Sequence, residues 1–135
     1  MLPKPFRLAE QYLIRAEAYC RLERFGEANR DLTALRTQRG VSALNVTGSN
    51  WLELLSEERV RELYMEGFRL NDLKRWGKEI ADSEGFSIVR KPQSQSLAEG
   101  SSLKVRYDNP LFVWPIPQSE LEAPGADIEP NDSNN

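Results

Sequence analysis

The chain has 135 residues with 18 basic and 21 acidic side chains, which gives a net charge of −3. Such a mildly acidic balance gives no reason to expect a nucleic-acid partner, and no apolar run reaches the roughly 18 residues that a membrane-spanning helix needs. The absence of histidine and the single cysteine exclude histidine-dependent catalysis, histidine-containing zinc sites and an internal disulfide bond. We therefore expect one soluble domain that is not an enzyme and holds no metal or cofactor.

Two helices are predicted at the start of the chain, the first from Phe6 to Leu22 and the second from Glu27 to Arg39. Apolar residues recur in both at steps of three and four. Because the connecting turn at Phe25-Gly26 is short, the helices should pack antiparallel. Large and small residues also fall where a tetratricopeptide repeat (TPR) has them, at Tyr12, Ala16, Tyr19, Ala28 and Leu32. The pattern predicts a TPR-like helical hairpin over residues 6–40.

Residues 51–77 predict a second helix pair, with one helix from Trp51 to about Glu66 and a shorter one from Asp72 to Gly77. Three glutamates in this stretch, Glu58, Glu62 and Glu66, recur at four-residue spacing. They should form one row along the helix, in which like charges repel. The row therefore requires a partner, and the planar guanidinium of arginine matches a carboxylate through two parallel hydrogen bonds.

Two interpretations of this row compete. It could be a carboxylate site for a metal ion or for acid–base chemistry, but helical sites that hold two metal ions rely on histidine as well as glutamate. We favour a structural ion-pair lattice that fixes one helix against the next, with the members Glu58, Arg59, Glu62, Glu66, Arg69, Asp72 and Arg75. If Arg69 neutralises a buried carboxylate there, its loss should destabilise the fold by several kcal/mol.

The remainder of the chain is less regular. Residues 78–110 predict an irregular loop region with two short strands at residues 86–89 and 103–107. Residues 111–121 form an apolar run whose Pro115 and Pro117 exclude a helix or a central strand. We expect an extended segment there, packed on the helices through Leu111, Val113 and Ile116. Residues 122–135 predict a disordered tail.

Aromatic residues in this C-terminal region are candidates for ligand contacts, because aromatic faces stack on the apolar faces of sugar rings. The candidates are Tyr107, Phe112 and Trp114. In an extended segment side chains alternate between two sides, so one pair could be exposed. Packing in the core is the competing interpretation for each aromatic, given the large area that such a side chain buries.

Three stretches resemble one protein family. Residues 58–77, read as E-R-x-R-E-L-x-x-E-G-x-R-x-x-D-L-x-R-W-G, closely resemble a signature in the C-terminal part of the RagB/SusD family. Residues 7–19, RLAEQYLIRAEAY, resemble an earlier stretch of the same region. Pro115-Ile116-Pro117 followed by Glu120-Leu121 resembles a later one. The three stretches occur in the family's order.

The resemblance implies a single SusD-like C-terminal domain over residues 1–135. Its implied fold is mainly α, with TPR-like antiparallel helix pairs (α-α superhelix type) and an irregular proline-rich C-terminal segment. Members of this family are surface-exposed outer-membrane lipoproteins of Bacteroidetes that help capture glycans and peptides for a TonB-dependent, SusC-like transporter.

By this resemblance, the chain is expected to be the scaffold of a nutrient-binding protein with an oligosaccharide or peptide ligand. Attachment to the membrane would come only from a lipid anchor that this chain lacks. A free-standing TPR-type adaptor that binds a peptide in a concave groove is the main alternative. A carboxylate-dependent enzyme that uses Glu58, Glu62, Glu66 or Asp72 is a further one.

Overall fold

The computed structural model describes residues 7–89 and 104–134. The chain divides into two compact units, Met1–Asp72 and Leu73–Asn135. The described residues are mainly helical, which confirms the predicted mainly-α, TPR-like fold class. The single domain expected over residues 1–135 stays a prediction, as do the segment boundaries proposed within it.

The first unit is built on an antiparallel hairpin of α1 (Leu8–Arg21) and α2 (Phe25–Gln38). The start of α1, at Ala9, lies beside the end of α2, at Leu35 and Gln38. Ala16 and Ala28 are fully buried, and their small side chains let the two helices approach closely. Leu13 and Leu32 fill the space between the helices.

The third helix, α3 (Trp51–Glu62), completes this core through Leu55. It was expected to continue to about Glu66, but it ends four residues earlier. Met65 adopts the left-handed conformation with φ of 62°, which no continuing right-handed helix can contain. The turn between α3 and the next helix therefore begins before Gly67, which also has a positive φ of 83°.

The fourth helix, α4 (Phe68–Ile80), begins earlier and ends later than the predicted Asp72–Gly77 helix. Gly77 does interrupt its geometry, with φ of 32° and ψ of −101°. The helix resumes after this kink because glycine tolerates a backbone that a side chain would strain. Trp76, just before the kink, is 1% exposed.

A short antiparallel hairpin follows in the second unit, formed by β1 (Phe86–Val89) and β2 (Lys104–Arg106). Both strands lie where the sequence predicts them, although Leu103, the first residue of the second predicted strand, lies outside the described residues. Gly85 has φ of 85°, and a Cβ there would lie 3.1 Å from the Arg106 guanidinium. The entry to β1 therefore requires glycine.

The C-terminal segment differs from the extended run expected at residues 111–121. Pro110–Phe112 form a 3-10 turn, and α5 (Gln118–Leu121) begins directly after Pro117. Side chains alternate between two sides only in an extended strand, and the turn breaks this alternation. Val113 is therefore 57% exposed, although the sequence predicted that it would be buried. Ile116 is half-buried, and the side chain of Leu111 lies outside the described part. A proline is compatible with the start of a helix, which is why the two prolines did not exclude α5.

The residues after α5 contain a short turn and a side-chain contact to the preceding segment. Asp132–Asn134 form a second 3-10 turn, and Nδ2 of Asn131 donates a hydrogen bond to the carbonyl oxygen of Trp114 at 2.9 Å. The disordered tail expected at residues 122–135 stays a prediction.

Candidate functional site

The glutamate row meets arginines that lie outside the signature stretch. Glu58 pairs with Arg36 of α2 at 2.5 Å. Glu62 accepts two hydrogen bonds from Arg39, at 2.5 and 2.9 Å. Arg7, just before α1, pairs with Glu62 at 3.3 Å and with Glu66 at 2.7 Å. The row therefore connects α3 to α2 and to the chain before α1.

A second, more buried pair joins α3 to α4. Nε of Arg59 donates to Asp72 at 2.8 Å, and both side chains are 5% exposed. Arg69 donates to the hydroxyl of Ser56 at 2.7 Å. Arg59, and not Arg69, is thus the residue that donates this hydrogen bond to the buried carboxylate of Asp72. Arg69 interacts with Asp72 through charge attraction.

Arg75 takes a different position from the other predicted lattice members. Its guanidinium lies over the ring of Trp76, 4.4 Å from the ring centroid. Both residues belong to the second unit. Such cation–π contacts add modest stability to a packed aromatic side chain.

Within the row, the electrostatics of Glu62 are those of a carboxylate neutralised by arginine. The hydrogen bond from Arg39 lowers the pKa of Glu62 below its ordinary value, against the opposing effect of burial. A carboxylate held ionised by guanidinium groups is a weak base and a poor proton donor near neutral pH. Among residues 7–89 and 104–134, no group of three or more cysteine, aspartate or glutamate side chains could hold a metal ion.

The single thiol of the chain, Cys20, lies in an environment that makes it unreactive. Cys20 lies in the core with 2% exposure. Burial, with a smaller contribution from nearby Glu17, raises the pKa of its thiol to about 11. Because the thiolate is the reactive species, Cys20 acts as a small apolar core residue.

The three candidate aromatics differ in exposure. Trp114 is 89% exposed, while Tyr107 and Phe112 are half-buried. Tyr107 lies against the kink of α4, with its Cβ 3.8 Å from the position that a Gly77 side chain would occupy. Lys74 of α4 donates a hydrogen bond to the carbonyl oxygen of Phe112. Trp114 is thus the candidate whose ring is most available to a ligand.

The arginines that neutralise the row were not predicted from the sequence. Arg36 and Arg39 lie three residues apart near the end of α2, so they share one face of that helix. The predicted antiparallel hairpin implies contacts between α1 and α2, but this face of α2 contacts α3. The three-residue spacing of the two arginines indicates that they share one helix face. Which helix that face contacts depends on the packing of the helices.

Comparisons with known proteins agree with this fold. The SusD family model matches residues 4–128. The starch-binding protein SusD of Bacteroides thetaiotaomicron is 42% identical over 121 residues, covering 86% of this chain and 19% of that relative. No solved structure gives a significant match.

The match is therefore nearly complete for this chain and partial for its relative. Within the described ranges, no helix combines the length and apolarity required to cross a membrane. The family model covers both helix pairs and the C-terminal segment through Ile128. The chain belongs to the RagB/SusD family.

Proposed function

We propose that this chain is the C-terminal scaffold part of a SusD-like, non-enzymatic nutrient-binding lipoprotein of the outer membrane. That protein would capture a glycan at the cell surface and deliver it to a TonB-dependent, SusC-like transporter. The observation that carries the proposal is the 42% identity to a starch-binding protein over 86% of this chain. A lipid anchor would hold that protein at the membrane.

The scaffold role is supported by how the signature residues are used. Glu58, Glu62 and Asp72 are each met by an arginine at hydrogen-bond distance. These contacts link one helix to another, so the charges of the signature stabilise the arrangement of helices. A ligand would have to break these pairs to use the same carboxylates, at a cost of several kcal/mol for a buried pair.

A sugar contact within this chain, if the full protein uses one, is best assigned to Trp114. Its indole is 89% exposed, while its backbone is held by the hydrogen bond from Asn131. A rigid backbone under an exposed aromatic ring reduces the entropy lost when a ligand stacks on it. Tyr107 and Phe112 would support the position of this segment and contribute less contact area.

A segment exchange tests the proposal. The matched 121 residues of the Bacteroides thetaiotaomicron relative would be replaced by this chain's corresponding residues. If the chain is a family scaffold, the chimera should fold and retain starch binding within about tenfold of the parent, equivalent to about 1.4 kcal/mol. A folded chimera that has lost starch binding would contradict the scaffold role.

The transporter partnership is tested with the same chimera. Copurification with the transporter that accompanies the parent protein should be retained, because the remainder of the parent is unchanged. The chimera carrying Trp114→Ala is the matched control for the sugar contact: it should bind the transporter normally and starch more weakly. If the chimera binds starch equally well with and without Trp114→Ala, Trp114 does not contact the sugar.

A further inference from the structure

A small apolar pocket lies at the connection between α3 and α4. Its volume is about 380 Å³, and its apolar lining is formed by Val60, Leu63, Tyr64, Met65, Phe68 and Leu70. Three of these side chains are on the surface: Tyr64 is 74% exposed, Met65 86% and Leu70 54%. Large apolar side chains clustered in this way on a protein surface are typical of binding sites.

The backbone holds one of these side chains in an unusual position. Met65 has φ of 62°, a left-handed conformation that is unfavourable for a residue with a side chain. Asparagine and glycine occupy this region more readily than methionine does. The turn therefore maintains an exposed methionine where a polar residue would be easier to accommodate.

Charged groups line the same pocket and leave it with an excess of positive charge. Arg59, Arg69 and Asp72 all contribute to its wall, which gives two guanidinium groups against one carboxylate. Nη1 of Arg59 is buried and has no hydrogen-bond partner among the described residues. Burial lowers the pKa of Arg69, with only partial compensation from the charge of Asp72. An added anion would relieve both deficits.

We propose that this pocket docks an acidic peptide segment of another protein, which inserts one large apolar side chain and places a carboxylate beside the two guanidinium groups. This interaction goes beyond the proposed glycan role and does not depend on it. The pocket volume of about 380 Å³ lies at the lower end of the range of small-molecule sites, about 300–1,000 Å³, and leaves room for one large apolar side chain.

The composition of the pocket also favours a protein partner. Tyrosine and arginine are enriched among the residues that contribute most to protein–protein affinity. Methionine is flexible and polarisable, and it adapts to different apolar surfaces. Arg69 contributes a guanidinium group to the pocket wall, and Nη1 of Arg59 is a donor there that lacks a hydrogen-bond partner among the described residues; both can donate to a carboxylate.

The test is an NMR titration of the ¹⁵N-labelled chain with a blocked synthetic peptide that contains Leu-Phe-Asp-Glu. Saturable shifts confined to amides of residues 59–72 are expected. Two control peptides, one with Asn-Gln for Asp-Glu and one with Ala-Ala for Leu-Phe, should each bind at least about fivefold more weakly. The absence of saturable shifts at these amides up to millimolar peptide, or equal binding of all three peptides, would overturn the proposal.

Variants of exposed residues locate the contact without disturbing the core. Tyr64→Ser and Met65→Asn each remove an apolar side chain, and asparagine accepts the left-handed backbone at residue 65. Each should weaken binding of the acidic peptide at least about fivefold. Leu22→Ser, at a position 66% exposed at the end of α1, is the matched control and should leave binding unchanged.

A competing occupant is tested in parallel. Dodecanoate offers a carboxylate and an apolar chain without a peptide. If dodecanoate shifts residues 59–72 and the acidic peptide does not, the pocket binds a lipid-like anion and the proposal is wrong. If Tyr64→Ser and Met65→Asn retain their circular dichroism spectrum and still bind the peptide as well as the parent chain does, the pocket is not the site.

Discussion

Buried carboxylates at Glu58, Glu62 and Asp72 each lie against an arginine, and their partners differ in exposure. The Arg59–Asp72 pair is almost completely removed from water, whereas the side chain of Arg39, the partner of Glu62, is 49% exposed. Removing water from charges is costly, and the attraction between them compensates only when the pair is intact. The energetic importance of each arginine therefore depends on its burial more than on its presence in the signature.

Replacing Arg59 with alanine should lower the free energy of unfolding by about 3 kcal/mol or more, since Asp72 loses its buried Nε donor. Arg61→Ala is the matched control on the same helix. Its side chain is 58% exposed and pairs with exposed Glu57. It also lies 3.6 Å from Glu58, but Glu58 keeps its closer pair with Arg36, so the loss of Arg61 should cost less than about 1 kcal/mol. Urea denaturation followed by circular dichroism measures both values. Equal losses for the two variants would contradict a structural role specific to the buried pair.

Glu62 should make the stability of the fold depend on acid. The hydrogen bond and charge of Arg39 lower its folded pKa below the ordinary value of 4.5. A lowered folded pKa adds stability that is fully present above the unfolded pKa and lost as pH falls through the folded pKa. The melting temperature should therefore fall less steeply below about pH 4.5 in Glu62→Gln than in the parent chain. Parallel curves for the two proteins would show that this carboxylate contributes no acid-sensitive stability.

Among the elements, the loop between α2 and α3 is ordered by one side-chain amide. Nδ2 of Asn29 donates to the carbonyl oxygen of Val46 at 3.0 Å, and its Oδ1 accepts from the Val46 N–H at 2.7 Å. Val46 is 1% exposed and belongs to the core. A loop residue can be buried in this way because its backbone groups are paired by a side chain.

Asn29→Ala should therefore destabilise the first unit by about 2 kcal/mol or more, since it leaves two buried backbone groups without partners. Asn29→Asp keeps the acceptor and removes the donor, so it should lose less stability than the alanine variant. Thermal unfolding and hydrogen exchange at the Val46 amide measure the effect. Unchanged exchange at Val46 in Asn29→Ala would contradict this role.

The regular elements were more predictable than the contacts between them. The α1–α2 hairpin follows from apolar spacing and from small residues at Ala16 and Ala28, which act locally. The early end of α3 depends on the left-handed Met65, for which the sequence gives no signal. The 3-10 turn at Pro110–Phe112 reversed the expected burial of Val113, because counting sides requires a straight strand.

The candidate site was predictable only in part for a related reason. The glutamate row and Asp72 were identified from spacing along one helix, but their partners Arg7, Arg36 and Arg39 come from other parts of the chain. Such long-range pairs depend on how helices pack, which periodicity does not specify. Arg69 is a further example. The sequence predicted that it would neutralise a buried carboxylate, but it donates to the hydroxyl of Ser56, and Arg59 donates to the buried carboxylate of Asp72.

At the scale of the whole molecule, this chain matches 19% of the length of its curated relative. Its described residues contain an ordered helical core, a neutralised charge network and one strongly exposed tryptophan. A glycan site generally needs several rigid aromatic and polar groups that converge on one concave surface. We infer that the chain supplies the framework for such a site and only a small share of its contacts.

Isothermal titration calorimetry of this chain against starch oligosaccharides and a panel of plant and host glycans tests that claim most directly. If the chain is a scaffold, its affinity should be no tighter than about 1 mM, equivalent to about 4 kcal/mol, and should change little in Trp114→Ala. Micromolar binding that Trp114→Ala abolishes would show that the glycan site lies within this chain and would contradict its assignment as scaffold.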